Sequence, residues 1–160
     1  MFEGSNMVLC FDMDGTIADF YGVENWLPML RASDPTPYKV AKPMMNFSTL
    51  ARQLNAAQRK GAKLVIISWC SKTGTPEFDM LVNDAKREWL AKHLPSVRWD
   101  AIEIVPYGTN KAEVCGAKDW SYFLFDDEER NREEWRAMGG MPFEPDTITN
   151  VLKNLNRMWA

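Results

Sequence analysis

Two carboxylates spaced two residues apart, Asp12 and Asp14, close the apolar run Val8-Leu9-Cys10-Phe11, and Gly15 and Thr16 follow at once. Other apolar runs also carry polar groups at their ends. Residues 63–69 carry Ser68, and residues 121–125 run into Asp126 and Asp127. Lys111 opens a short helical stretch after the run 101–105. If the runs are strands of one parallel sheet, their carboxyl ends share an edge, and that edge is where open α/β sheets place a ligand crevice. Four carboxylates against one lysine leave roughly −3 in a small, partly desolvated volume, which demands a counter-cation. Without a His or Cys cluster, zinc is disfavoured, and Mg²⁺, which takes a few carboxylates plus water and phosphate oxygens, fits.

That constellation suits phosphoryl transfer. Asp12 is the expected nucleophile, forming an aspartyl-phosphate once cations neutralise the phosphoryl charge. Asp14 is expected to protonate the leaving oxygen and then to take a proton from the attacking water. Ser68 and Lys111 are expected to hold phosphoryl oxygens, with the backbone around Met13, Asp14, Gly15 and Thr16 completing an anion cradle. Asp126 is expected to ligate Mg²⁺, with Asp127 ligating it or orienting a bound water. The metal set is thus Asp12, Asp14, Asp126 and Asp127, with Asp14 contributing through its main-chain carbonyl as well.

The elements that must position these groups alternate along the chain. Apolar residues at helical spacing predict helices over 46–60, from Phe78 to about Leu94, from Asn110, over 131–138 and over 147–159. Gly139-Gly140 breaks the fourth of these, and residues 141–143 read as a fifth, edge strand. Residues 17–45, punctuated by Pro28, Pro35, Pro37 and Pro43, have no sustained period. They are expected to form a turn, a short flap and a lid-like excursion, too small for a folded cap. Strands alternating with helices imply a parallel sheet covered on both faces.

Bulk properties bound the rest. A chain of 160 residues, 46% hydrophobic and 26% charged, favours one domain over 1–160. A formal charge of −3 offers no general attraction to nucleic acid, so stable nucleic-acid binding is not expected. No run is long enough to cross a membrane, so no membrane partner is expected, and Cys10, Cys70 and Cys115 suit reduced thiols in a cytoplasmic protein. Cys70, near the site, is also a candidate nucleophile.

In order and context, Phe11-Asp12-Met13-Asp14-Gly15-Thr16, Ser68, Lys111 and Asp126-Asp127 resemble the four motifs of haloacid dehalogenase-like (HAD) phosphohydrolases. The resemblance spans about residues 8–127. It implies a Rossmann-like three-layer αβα sandwich with a mostly parallel sheet of about five strands and a short insertion after the first. The second aspartate of the first motif, here Asp14, is shared by phosphatase members and lacking in dehalogenases. Phosphate-ester hydrolysis is therefore implied over carbon–halogen cleavage. Asp126-Asp127 followed by Asn131, Trp135-Arg136 and Gly139 is similar to the 3′-phosphatase domain of bacteriophage polynucleotide kinase. The small 5′(3′)-deoxyribonucleotidases also end a strand with paired aspartates. Trp69-Cys70-Ser71-Lys72 departs from the Gly-Arg of the polynucleotide example.

The expected substrate is a phosphorylated small molecule, a nucleotide above all, or a nucleic-acid 3′ or 5′ end. Sugar phosphates and phosphoproteins are the alternatives within the same chemistry. A signalling module that stores an aspartyl-phosphate, or an idle binding module, is the alternative outside it. Trp26, Tyr38 and Trp69 are candidates to stack a base or to pack the core. Lys72 and Arg130 are candidates for a second phosphate or for solvated surface charges. Asp19 reads as a turn residue, His93 as a surface residue, and Met44-Met45 as core filling.

Overall fold

Leu9, Cys10 and Phe11 have no outward face: each is fully buried, as a strand covered by helices on both sides must be. The computed structural model describes residues 7–72 and 74–159. The strands of its main sheet are β1 (Val8–Phe11), β4 (Lys63–Trp69), β5 (Ala101–Val105), β6 (Tyr122–Phe125) and β7 (Met141–Phe143). They lie in the order β5-β4-β1-β6-β7, every neighbouring pair parallel. The chain builds outward from β1 to β5 on one side, then returns to build β6 and β7 on the other. The direction of winding reverses beside β1, and a crevice opens at such a reversal.

On one face of the sheet α3 (Phe47–Arg59), the C-terminal half of α4 (Pro76–His93) and α7 (Ile148–Met158) cover Leu9, Phe11, Leu64, Ile66, Phe123 and Phe125. On the other, α5 (Lys111–Cys115) and α6 (Glu129–Ala137) cover Cys10, Ile67 and Leu124, with Trp135 as the largest side chain there. Local chemistry sets the helix starts. Asn46, Thr75 and Asn110 each accept a main-chain N–H with the side chain at the first turn of α3, α4 and α5.

The segment after β1 is more ordered than its sequence suggests. A two-stranded antiparallel ribbon, β2 (Ala18–Asp19) with β3 (Lys42–Pro43), closes a loop holding α1 (Trp26–Arg31) and α2 (Thr36–Val40). Its aromatic centre, Phe20 and Tyr38 with Trp26 against them, packs on Phe78, Val82 and Ala85, between the start and the middle of α4. Helices of five and six residues complete too few turns to display a period, so the reading of 17–45 as irregular is corrected here. No helix among the described residues is long and apolar enough to cross a membrane.

Candidate active site

Register brings the two acidic motifs level. Phe11 pairs with Phe125, so Asp12 and Asp126 leave adjacent strands at the same height. The Asp12 N–H donates to the Phe125 carbonyl at 2.9 Å. Lys111 starts α5 because Asn110 caps it, and from there its Nζ reaches between the strands to Asp12 Oδ1 at 2.9 Å and Asp126 Oδ2 at 2.7 Å. Residues separated by about a hundred positions thus meet at one rim, as the parallel sheet demands.

Thr16 ties in the last carboxylate. Its hydroxyl donates to Asp12 Oδ2 at 2.9 Å, and its oxygen accepts the Asp127 N–H at 3.2 Å. Gly15, at φ +77°, makes the turn that brings Thr16 back, and a Cβ there would collide with the Asp127 carboxylate. Met13 is buried and its carbonyl accepts the N–H groups of Thr16, Ile17 and Ala18. The N–H groups of Met13 and Asp14 take no acceptor among the described residues, which leaves them to an anion.

Asp14 faces a partner that sequence reasoning missed. Lys86, in the middle of α4, is fully buried and donates to Asp14 Oδ2 at 2.8 Å, to Ser68 Oγ at 2.6 Å and to the Trp69 carbonyl at 2.8 Å. Four carboxylates therefore face two buried ammonium groups rather than one. A signal was present: Lys86 lies four residues after Val82 and three before Trp89, on the buried stripe of its helix. Ser68 is itself fully buried and is not part of the wall of the cavity described next.

A cavity of about 400 Å³ opens over these groups, with Asp12, Asp14, Lys111, Asp126, Asp127 and Asn131 at its floor. Two aromatic walls rise from the floor. Phe20, Tyr21, Trp26 and Tyr38 form one, with neighbouring ring centroids 4.7 to 5.3 Å apart, and Trp69 with Tyr107 at 4.9 Å forms the other. Trp69 is held by its indole N–H, which donates to the Thr109 carbonyl at 2.9 Å, and the Lys111 ammonium lies 5.3 Å from its ring centroid. Tyr38 is buried in the insertion's own core, whereas Trp26 and Trp69 keep part of their surface open.

The charges are strongly coupled. Burial pushes the Asp12 carboxyl up, but Lys111, hydrogen bonding with Asp127, and Lys86 outweigh it and hold Asp12 below the usual range. Burial and the Asp12 charge keep Asp14 above the usual range despite Lys86. Burial and the Asp12 charge raise Asp126 to about 6 against the pull of Lys111. Desolvation among its neighbours and the Asp12 charge push Asp127 up to about 8, although its outer face is open to water. Burial alone would lower Lys111, yet its two carboxylate partners raise it, so it is an ammonium at any ordinary pH.

The oxygens fit a hard divalent cation. Asp12, Asp126 and Asp127 each offer a carboxylate oxygen, all within 4.8 Å of one another. Two of the three resist ionisation as they stand, which is the signature of a site short of positive charge. Beside them Asn131, whose amide N–H donates to Asp126 Oδ2 at 3.1 Å, leaves its buried Oδ1 without a partner among the described residues. The Asp14 carboxylate lies outside this set.

The remaining sequence expectations fall as follows. Lys72 is exposed on the cavity rim. Arg130 is exposed outside the lining, paired with Glu134 at 2.7 Å and 6.0 Å from the Trp69 ring. Asp19 caps a turn through Gly22. Cys70 lines the cavity, but burial pushes its thiol up, away from the thiolate a nucleophile needs. Cys10, Cys70 and Cys115 are all free. His93, expected at the surface, is half-buried and lies tilted against Trp89 with centroids 4.6 Å apart, outside the cavity lining. Met45 packs on the core as expected, whereas Met44 is exposed and lines a second cavity beyond Gly15 and Asp127.

No protein-family model matches this sequence, and no curated protein matches it either. Solved structures do. A D,D-heptose 1,7-bisphosphate phosphatase from B. bronchiseptica, in complex with magnesium and phosphate, superposes with a TM-score of 0.61 at 12% identity. The match covers 95% of this chain and 99% of that one. The corresponding phosphatase from Burkholderia thailandensis gives 0.58 at 14%, covering 92% and 97%. At such identities the likeness extends to architecture alone, and the chain accordingly has the Rossmann-like α/β fold of these phosphatases.

Proposed function

We propose that the chain is a Mg²⁺-dependent phosphomonoesterase that works through an aspartyl-phosphate on Asp12. The observation that carries this reading is the Lys111 bridge, 2.9 Å to Asp12 and 2.7 Å to Asp126, at the sheet edge where Asp127 also converges. Asp12 is the carboxylate held ionised, as a nucleophile requires. Asp14, above the usual range and open to the cavity, suits a proton donor. Asp12, Asp126 and Asp127, with the Asp14 main-chain carbonyl, would hold Mg²⁺, which would supply charge neutralisation of the phosphoryl oxygens.

An Asp12 oxygen attacks phosphorus as the bond to the leaving oxygen breaks, and Asp14 gives that oxygen its proton. Water then attacks the phosphorus of the acyl phosphate and loses a proton to Asp14. The Asp12 oxygen–phosphorus bond breaks, releasing phosphate and restoring the Asp12 carboxylate. Lys111 and the free N–H groups of Met13 and Asp14 hold the phosphoryl oxygens throughout. Ser68 acts from beneath, through Lys86, rather than as a wall of the cavity.

The substrate class follows from the walls. Two groups of aromatic rings lining the same cavity as the acidic cluster suit a planar group next to the phosphate, so a nucleotide, or a nucleic-acid 3′ or 5′ end, is the preferred substrate. Phosphorylated sugars are the second reading, favoured by the heptose bisphosphate phosphatases of the same fold. Immediate proximity of Asp14 to Asp12 favours turnover over storage of the phosphoryl group, and three free thiols suit a reducing cytoplasm. A screen of nucleoside monophosphates, 3′-phosphorylated oligonucleotides, sugar phosphates and phosphopeptides, with and without Mg²⁺, tests the reading. Mg²⁺-dependent release of phosphate from nucleotides supports it; preference for sugar phosphates selects the second reading; no hydrolysis of any ester refutes both.

A further inference from the structure

We infer that Lys86 is a positioning residue for the acid–base steps, a clamp that holds one oxygen of Asp14 so that the other faces the cavity. The inference rests on the phosphatase reading above. Lys86 is 1% exposed and absent from the cavity wall, so it does not touch substrate. Its ammonium has three N–H donors, and three acceptors surround it: Asp14 Oδ2, Ser68 Oγ and the Trp69 carbonyl, at 2.8, 2.6 and 2.8 Å. All the donor capacity is used within the protein. The Tyr38 ring of the insertion closes the remaining side, its centroid 5.0 Å from Nζ.

The geometry at Asp14 gives this clamp its purpose. Asp14 precedes Gly15 in a tight turn, and its side chain is 19% exposed, on the cavity floor. Oδ2 is fixed by Lys86, whereas Oδ1 makes no hydrogen bond among the described residues. A carboxyl anchored by one oxygen presents the other in a defined direction, and Oδ1 is the atom left to give or take the proton. The anchor is itself fixed twice at the end of β4, by Ser68 and by Trp69. Lys86 thereby couples three elements: the turn after β1, the end of β4 and the insertion packed on α4. Lys111 serves the nucleophile in the same way from the opposite side, but it faces the cavity and Lys86 does not.

The test is a double-mutant cycle read with two leaving groups. Lys86→Met keeps the apolar stem and removes the donors. With p-nitrophenyl phosphate, whose leaving group needs little protonation, kcat should fall less than about tenfold; with an alkyl phosphate it should fall on the order of 10²-fold. KM should hold for both. In an Asp14→Asn background, Lys86→Met should cost nothing further, because its effect passes through Asp14. Equal losses for both leaving groups, or an undiminished loss in the Asp14→Asn background, overturn the proposal. Should Lys86→Met fail to fold, Ser68→Ala, which removes one anchor, must show the same leaving-group bias in weaker form, and its absence also overturns it. Mg²⁺-dependent hydrolysis by the wild type, abolished in Asp12→Asn, separates the two readings: if it is seen and the cycle is additive, only the clamp falls. A wild type inactive on every ester overturns both.

Discussion

Lys111 and Lys86 are both buried ammonium groups bound to carboxylates at the carboxyl edge of the sheet, and they do different work. Lys111 heads the five-residue helix α5 and joins β1 to β6, with its Nζ on the floor of the cavity. Lys86 sits midway along the eighteen-residue helix α4 and joins β1 to β4 from beneath the floor. In the proposed mechanism one neutralises the nucleophile and its metal-binding neighbour, and the other holds the proton carrier. If that mechanism holds, the difference means that the two chemical steps, attack at phosphorus and proton delivery, have separate electrostatic supports. Breaking one should leave a recognisable signature of the other.

The largest effect belongs to the nucleophile. Asp12→Asn should lower kcat by on the order of 10³-fold or more for every leaving group, with the fold retained by circular dichroism. Lys111→Met comes next. It removes a donor to the phosphoryl oxygens, a loss of about 10²–10³ in kcat. It also leaves Asp12 and Asp126 uncompensated, which should cost about 3–5 kcal/mol in denaturant unfolding. Unlike Lys86→Met, it should spare no leaving group. A leaving-group bias for Lys111→Met would dissolve the division of labour.

An intermediate effect concerns pH. Asp126 and Asp127 are raised in the folded chain from 3.8 to about 6 and about 8. The folded state therefore binds their protons more tightly than the unfolded state. Their contribution is fully present below pH 3.8 and is lost as pH rises through 6 and 8. Without Mg²⁺, the contribution of these two groups should lower Tm as pH rises between 5 and 8.5. Mg²⁺, which takes the place of those protons, should raise Tm more at pH 8.5 than at pH 5. Comparing Asp127→Asn with wild type isolates the Asp127 share: the variant should show a flatter pH dependence. Identical pH profiles would remove Asp127 from the coupled set.

The smallest effect is expected at Arg130. Its exposed pair with Glu134 contributes at most about 0.5 kcal/mol, so Arg130→Ala should leave Tm and KM nearly unchanged. A large rise in KM would instead make Arg130 a ligand for a second phosphate.

Much of this arrangement was legible in the residues. The central strands were readable because strands covered on both faces carry unbroken hydrophobic sequence, as Leu9-Cys10-Phe11 and Leu64 to Ile67 do. The edge strands β5, interrupted by the exposed Glu103, and β7, carrying Pro142, give weaker signals. Asp12, Lys111, Asp126 and Asp127 were readable because each follows or flanks such a run, and parallel strands then force their ends together. The insertion was not readable, since α1 and α2 are shorter than the window in which a helical period emerges, and Pro28, Pro35 and Pro37 mask them. Lys86 was missed for a different reason: a lysine on a helix is normally solvated, so its place on a buried stripe was outweighed by residue type. Ser68 was placed on the right edge, but the partner its hydroxyl takes depended on that unseen lysine.

The central claim is that phosphate passes through Asp12. Rapid acid quench of the Asp14→Asn variant turning over a good leaving group with Mg²⁺, followed by peptide mass spectrometry, tests it most directly. The account predicts one phosphoryl group on Asp12, accumulating because the water-activating carboxylate is gone. Continued hydrolysis with Asp12 unmodified, or full activity in Asp12→Asn, would contradict it.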